Sequence, residues 1–434
     1  MVASVPVSYG QRAMPNATAR HMYAFLAGAI MCGVAYGAGS YMLVLPIAWT
    51  YALLRVVPRA HVGIVSMMLN MSYLVYCHTF TGSAELWREG GIDATGSLMV
   101  ITLKLIACCY TYQDGGAKDR SVLLESQRER LQEEVPSLLE YLGFCFCNGA
   151  VLSGPQIEMR KYLDFSRRKG MWANPMPSCL MALAKCCMGF VACGAFHAAM
   201  AAKFSLDIES ELHASLSWWQ RVGFYYLVGV AMRFKFYFVW LIAEAACIAS
   251  GLGFEGVDAK TGKVGWGGGR NVIVRNIEFA ESAREVVMYW NLNTADWLRH
   301  YVYERLAAPG KKPPTWATYV TNLVSGLWHG THSGYALFFA SAAFYTQASK
   351  VRFGWLKWTA PGSLANRVGR LLSGILAQAE LNYCSMPFIL LTWEKSLRVW
   401  SDAAWFGHIL WTVTVLLGFV IPAPKSKRSA KKTQ

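Results

Sequence analysis

The run Ser325-Gly326-Leu327-Trp328-His329-Gly330-Thr331-His332-Ser333-Gly334-Tyr335 sets two imidazoles in an apolar neighbourhood that continues through residues 336–339. Imidazole is the one unperturbed side chain that exchanges a proton near neutral pH. His329 and His332 stand three apart and share a face if a single helix carries both. As a metal pair they lack a Glu or Cys at a suitable offset, so no metal is expected. The ordinary role of a buried histidine is a hydrogen bond to a backbone carbonyl. Gly326, Gly330 and Gly334 point further, because they permit close approach of another backbone or a ligand.

A second polar stretch is Tyr289-Trp290-Asn291-Leu292-Asn293-Thr294-Ala295-Asp296-Trp297-Leu298-Arg299-His300-Tyr301. On a helix Asn291, Ala295, Leu298 and Val302 share one face, so Asn291 is set against apolar neighbours. Such an asparagine either bonds between helices or presents a donor to a reacting carbonyl. A third stretch, residues 225–237, brings Arg233 and Lys235 into an apolar run that continues to Glu244. Snorkelling at a helix end explains both cations, as does an electropositive wall for phosphate.

The elements that must position these groups read as membrane helices. The 434 residues are 54% hydrophobic and only 15% charged, with mean hydropathy +0.28, whereas a soluble chain carries about 25% charged residues. Segments 41–57, 62–80, 97–112, 179–202, 236–252 and 403–421 have few or no charges. Each is close to the ~17–25 residues that a membrane helix needs. Trp49, Trp87, Trp218, Trp219, Trp393 and Trp400 stand at segment ends, where amphipathic rings favour the lipid boundary. These features predict an all-α integral membrane fold of about 9–11 membrane segments, with a tail over 1–20, one domain over 21–422 and a basic tail over 423–434.

The formal net charge is +15. It is concentrated in short connections (Arg160, Lys161, Arg167, Arg168, Lys169) and at the end (Lys425, Lys427, Arg428, Lys431, Lys432). The positive-inside tendency makes both cytosolic and favours membrane lipid headgroups over nucleic acid as partners. Lys431 and Lys432 resemble a dilysine retrieval signal of the endoplasmic reticulum, an address rather than an anchor; a basic tail ending this way by chance is the alternative. The 12 cysteines are scattered and read as small buried hydrophobes. Three interruptions break the apolar pattern. Residues 114–136 alternate in charge and predict a solvated helix ended by Pro136. Residues 255–275 are Gly-rich and predict a flexible loop, without the strand or Lys-Ser/Thr of a phosphate cradle. Residues 304–315 hold Pro309, Pro313 and Pro314 and predict a basic turn.

Taken together these stretches resemble the membrane-bound O-acyltransferase family, in its lysophospholipid acyltransferase branch. Leu103-Lys104-Leu105 leading to Asp114-Gly115 is similar to an early signature. Residues 137–143 through Ser153-Gly154-Pro155 resemble the next block. Arg233, Lys235, Tyr237, Trp240, Glu244 and Gly251-Leu252-Gly253 resemble the third. Tyr289-Trp290-Asn291 and Trp328-His329-Gly330 complete the set in the family's order.

The resemblance implies a multi-pass helical fold with an internal catalytic chamber. It implies transfer of a fatty-acyl group from acyl-CoA to the free hydroxyl of a lysophospholipid, with acyl-CoA a co-substrate and no cofactor. The family's histidine falls on His329 and its asparagine on Asn291, with Asn293 a competitor. Substrate contacts are expected from Trp290, Asn293, Trp328, His332, Arg233, Lys235, Tyr237 and Glu244. An alcohol is a poor nucleophile and needs a positioned base; an imidazole buried in an apolar site stays neutral and able to accept a proton. Asn291 can donate to the acyl carbonyl. The acceptor could instead be a sterol, diacylglycerol or protein. A transporter also places polar groups in membrane helices, but it often shows repeated halves, and none is visible.

Overall fold

A computed structural model describes residues 1–81, 93–147, 149–204, 208, 211–307, 311–314 and 316–424. Trp87, the lysines and arginine of the basic tail, and Pro309 of the proline turn lie outside the described residues. The chain clusters into two compact units interleaved along its length. One comprises Met1–Gly194, Phe236–Val272 and Asn291–Thr331; the other comprises Ala195–Lys235, Ile273–Trp290 and His332–Gln434.

The first unit is built around the helix Ala94–Asp114, most of whose side chains are buried. Asp93 starts it by accepting from the Thr95 amide. Near its middle Lys104 is fully buried. Its Nζ donates to the carbonyls of Phe144 and Cys145, the last residues of the helix Leu138–Cys145. A cation at a helix C-terminus meets carbonyls that have no partner within the helix. That short helix begins in a capping box: Ser137 N donates to Glu140 Oε2 at 3.0 Å, and Glu140 N to Ser137 Oγ at 3.4 Å, as Ser-x-x-Glu dictates. Helices Tyr41–Val56 and Val62–Phe80 are joined by Asn70, whose amide reaches Thr50 Oγ1 and the Ser66 carbonyl at 3.1 and 2.9 Å. Interhelical hydrogen bonds of this kind replace the hydrophobic effect as glue in lipid. The helix Leu180–Ala201 buries only Cys186, Phe190 and Cys193. Met181, Met188 and Val191 are left outward, as a lipid-facing helix requires.

The second unit packs around Tyr345, Tyr383, Trp400 and Trp411, carried by Ser333–Trp355, Leu364–Leu390, Trp393–Asp402 and Phe406–Val420. Ser363 caps the second of these, accepting from the Asn366 amide at 3.2 Å, and Arg352 pairs with the fully buried Glu380 inside.

Among the described residues four helices are long and apolar enough to cross a membrane, or up to five if the bent pair Trp393–Asp402 and Phe406–Val420 is one span. This is fewer than the nine to eleven segments expected. Part of the difference is length: Ala317–His329 has 13 residues, against the ~20 that a crossing needs. The multi-pass helical class stands.

Three local expectations change. Residues 1–20 are not a loose tail: Ser4–Ala13 is a helix with Ser8 and Gln11 fully buried. The charged interruption is α-helical over Glu125–Arg130, with a short 3-10 turn over Arg120–Val122; Arg120 pairs with Glu133 at 2.6 Å and Asp114 with Arg305. The Gly-rich stretch is ordered. Gly256–Val257 pairs antiparallel with Val264–Gly265, and Asp258 closes the turn by accepting from the Thr261 and Lys260 amides. Those bonds, Thr261 first, hold the Asp258 carboxyl below its ordinary range. Gly268 N donates to the Gly253 carbonyl at 2.9 Å, and a Cβ on Gly269 would collide with Cys247. All 12 cysteines are thiols, and all but Cys187 are buried.

Candidate active site

Asn291 sits at the start of the helix Leu292–Leu298 with φ 47° and ψ 53°, the left-handed region that asparagine tolerates better than other side chains. Its carbonyl accepts from the Ala295 amide at 3.0 Å. Its carboxamide has no hydrogen-bond partner among the described residues. Asn293 is spent differently: its Nδ2 donates to the Arg270 carbonyl at 2.8 Å and to Asn271 Oδ1 at 3.0 Å. The Leu292 amide donates to the Asn271 carbonyl at 3.0 Å. The first turn of the helix is thus fixed to Arg270 and to Asn271, which is only 4% exposed. That leaves Asn291 as the asparagine whose amide is available.

Further along, Trp297 is buried and donates its indole N–H to the Leu103 carbonyl at 2.9 Å. The chain then widens into a π-turn, Arg299–Tyr303, a geometry frequent at functional sites. Tyr301 Oη donates to Glu158 Oε2 at 2.7 Å. Arg305 grips Asp114 with two bonds of 2.8 and 2.6 Å and lies over the Tyr110 ring at 4.4 Å.

His329 is the last residue of Ala317–His329. Gly330 follows with φ 129° and ψ −177°, a region essentially closed to residues with a Cβ. The next helix begins at Ser333, so the condition for a shared face, a single helix carrying both His329 and His332, is not met. The turn is held from both sides. Trp328 donates its indole N–H to the Met99 carbonyl at 3.0 Å. Its own carbonyl lies 3.2 Å from His78 Nε2, which makes that nitrogen the protonated one. Thr79 and Thr331 hydroxyls meet at 3.2 Å, and the Trp328 ring meets the His329 ring edge-on at 4.7 Å between centroids. We expect Gly330→Ala to force about 1–3 kcal/mol of backbone strain on this turn. Turnover should fall roughly tenfold or more at an unchanged level of membrane-inserted protein; normal turnover would mean that the turn does not aim His329.

The model of the membrane-bound O-acyltransferase family matches residues 79–369, two thirds of the chain and the whole stretch that carries both residues. The chain belongs to the membrane-bound O-acyltransferase family. It is similar along its full length to lysophospholipid acyltransferase 2 of Arabidopsis thaliana, 33% identical and covering 94% of that protein. Over 83% of the chain and 63% of the relative it is 30% identical to a lysophospholipid acyltransferase of Saccharomyces cerevisiae. Over 94% of the chain and 80% of the relative it is 25% identical to human membrane-bound glycerophospholipid O-acyltransferase 2. Membership sets the transporter alternative aside.

In this acyltransferase the first unit holds His329, Asn291, Asn293, Trp328, Tyr237 and Glu244, and the second holds Trp290, His332, Arg233 and Lys235. Trp290, His332 and Lys235 are half-buried. Tyr237 is fully buried. Two of the charged candidates are engaged within the protein. Glu244 receives Arg270 Nε at 3.0 Å, so it steadies the residue whose carbonyl holds Asn293. Arg233 donates to both oxygens of Glu278 at 3.0 and 2.9 Å and also to Asn382, so its charge is already compensated inside the second unit. The residues that the sequence left unnamed are His78, Asn271 and Arg305, the partner of Asp114. His78 had one signal, an imidazole near the end of an apolar run; Asn271 had none beyond its glycine-rich context.

Proposed function

We propose that this protein transfers a fatty-acyl group from acyl-CoA to the free hydroxyl of a lysophospholipid, with His329 as general base and Asn291 as the donor to the acyl carbonyl. The observation that carries the substrate class is full-length similarity to relatives named lysophospholipid acyltransferases. The available amide of Asn291 and the fixed turn at His329 support the roles.

In the step, His329 takes the acceptor's hydroxyl proton while the oxygen attacks the thioester carbon. Negative charge develops on the carbonyl oxygen, where the Asn291 NH₂ donates; a donor of this type contributes about 2.7–4 kcal/mol. The carbon–sulfur bond then breaks, and the leaving thiolate takes the proton back from the imidazolium. No acyl-enzyme is needed and no cofactor enters. The hydrophilic CoA comes from the cytosol, whereas the lyso-lipid and acyl chain arrive from the bilayer. Lys235, His332, Trp290 and Tyr237 remain candidates for substrate contact. The basic end beyond residue 424 fits residence in the endoplasmic reticulum with the C-terminus cytosolic.

Membranes from a host lacking its own activity, incubated with labelled oleoyl- or arachidonoyl-CoA and a panel of lysophospholipids, test the proposal. Product on at least one lysophospholipid is expected. Product on a sterol, diacylglycerol or peptide alone would replace the acceptor class.

A further inference from the structure

The N-terminal helix Ser4–Ala13 buries a polar stripe. Ser4, Ser8 and Gln11, spaced along one face, are buried, while Tyr9 is exposed by about half. A helix that buries its polar stripe needs partners for it, yet both amide atoms of Gln11 and the Ser8 hydroxyl have none among the described residues. The same holds for Arg12 Nη1, Arg20 Nε, His21 Nε2 and the Ser166 hydroxyl. Gln11 and Ser166 are fully buried, and Arg20 and His21 are 7% and 3% exposed.

Hydrogen bonds link the arginines and the histidine of this set to the stretch 162–177. Arg20 donates to the Ser166 carbonyl at 2.8 Å, Arg168 to the Arg12 carbonyl at 3.3 Å, Arg12 to the Pro177 carbonyl at 3.0 Å, and His21 Nδ1 meets Tyr162 Oη at 2.9 Å. Tyr23 Oη ties the two helices together through the Val7 carbonyl at 2.8 Å. Burial, then the neighbouring charges of Arg20 and Arg12, pull the Arg168 guanidinium below its usual range. None of the three arginines has a carboxylate partner among the described residues; the nearby Glu140 is taken by Arg167 at 2.6 Å. Three guanidiniums without a carboxylate among the described residues, two of them lying over the Trp266 and Phe165 rings, with amide and imidazole atoms left unpartnered, call for an anion with several acceptor oxygens. Arg20 lies in the first turns of the apolar helix Ala17–Tyr36, the level at which lipid headgroups meet a membrane helix.

We propose that Arg12, Arg20, Arg168, His21, Gln11 and Ser166 bind a phosphate group, carried by an anionic phospholipid headgroup or by a nucleotide. The site uses none of the residues assigned to acyl transfer. The full-length protein, purified in an uncharged detergent, is titrated with dioctanoyl phosphatidic acid, with CoA, and with dioctanoylglycerol as the phosphate-free control. Binding is read by native mass spectrometry and by thermal midpoint.

One phosphate ligand should bind and stabilise the wild type. Arg20→Gln with Arg168→Gln should weaken that binding by roughly a hundredfold, about tenfold for each charge-assisted hydrogen bond removed. Gln11→Leu keeps every charge, and with it the test stands even if the double variant fails to fold; here roughly tenfold weaker binding is expected. A loss confined to phosphatidic acid assigns the site to a lipid headgroup, and a loss confined to CoA assigns it to a nucleotide phosphate. Equal binding of both ligands by wild type and Gln11→Leu, or no preference over dioctanoylglycerol, overturns the proposal.

Discussion

His329→Ala is expected to lower acyl transfer by about 10²–10⁴-fold, the contribution of a positioned general base, and to do so in kcat. Alanine is a good helix former, and the break that follows is made by Gly330, which the substitution leaves alone. Trp328 also keeps its bonds to Met99 and His78. The amount of membrane-inserted protein and its thermal midpoint should therefore stay near wild type, so a loss of turnover reports chemistry rather than folding. A second imidazole stands close in the chain's own architecture, on the carbonyl of the preceding residue. Near-normal turnover in His329→Ala together with a severe loss in His78→Ala would move the base to His78.

For Asn291 the useful substitutions are set by its backbone. Alanine in a left-handed conformation carries about 1–2 kcal/mol of strain, so Asn291→Ala mixes strain with loss of the amide. Asn291→Gly removes the carboxamide without that strain, and Asn291→Asp keeps the shape while replacing the NH₂ donor with an acceptor. Both should lose roughly 10²–10³-fold in kcat, as expected for a donor to a developing oxyanion. Asn293→Ala should act more mildly, because its amide holds the Arg270–Asn271 backbone rather than pointing to substrate. If Asn293→Ala is the more damaging change and Asn291→Asp stays active, the assignment shifts by two residues.

The parts legible in the sequence were those written in local pattern. Apolar runs at 41–57 and 62–80 became the helices Tyr41–Val56 and Val62–Phe80 almost to the residue. The paired blocks around Asn291 and His329 carried the family resemblance, which the match over residues 79–369 bears out. What stayed hidden depends on partners distant in the chain. His78 reaches a carbonyl 250 positions away, Arg305 reaches Asp114 across 191, and no periodicity encodes either meeting. Whether one helix carries His329 and His332 was left open by the sequence for a local reason: one glycine can be a packing residue or a break, and Gly330 is the break. The N-terminal helix was missed because a polar stripe reads as solvent-facing until its burial is seen.

The most direct measurement is a structure of the protein bound to a non-hydrolysable thioether analogue of acyl-CoA that keeps the carbonyl. The expected result has the analogue's carbonyl oxygen within hydrogen-bond reach of Asn291 Nδ2, with a His329 ring nitrogen facing the position from which a hydroxyl would attack. A carbonyl lodged elsewhere, with Asn291 and His329 opening onto separate compartments, would contradict the proposed chemistry.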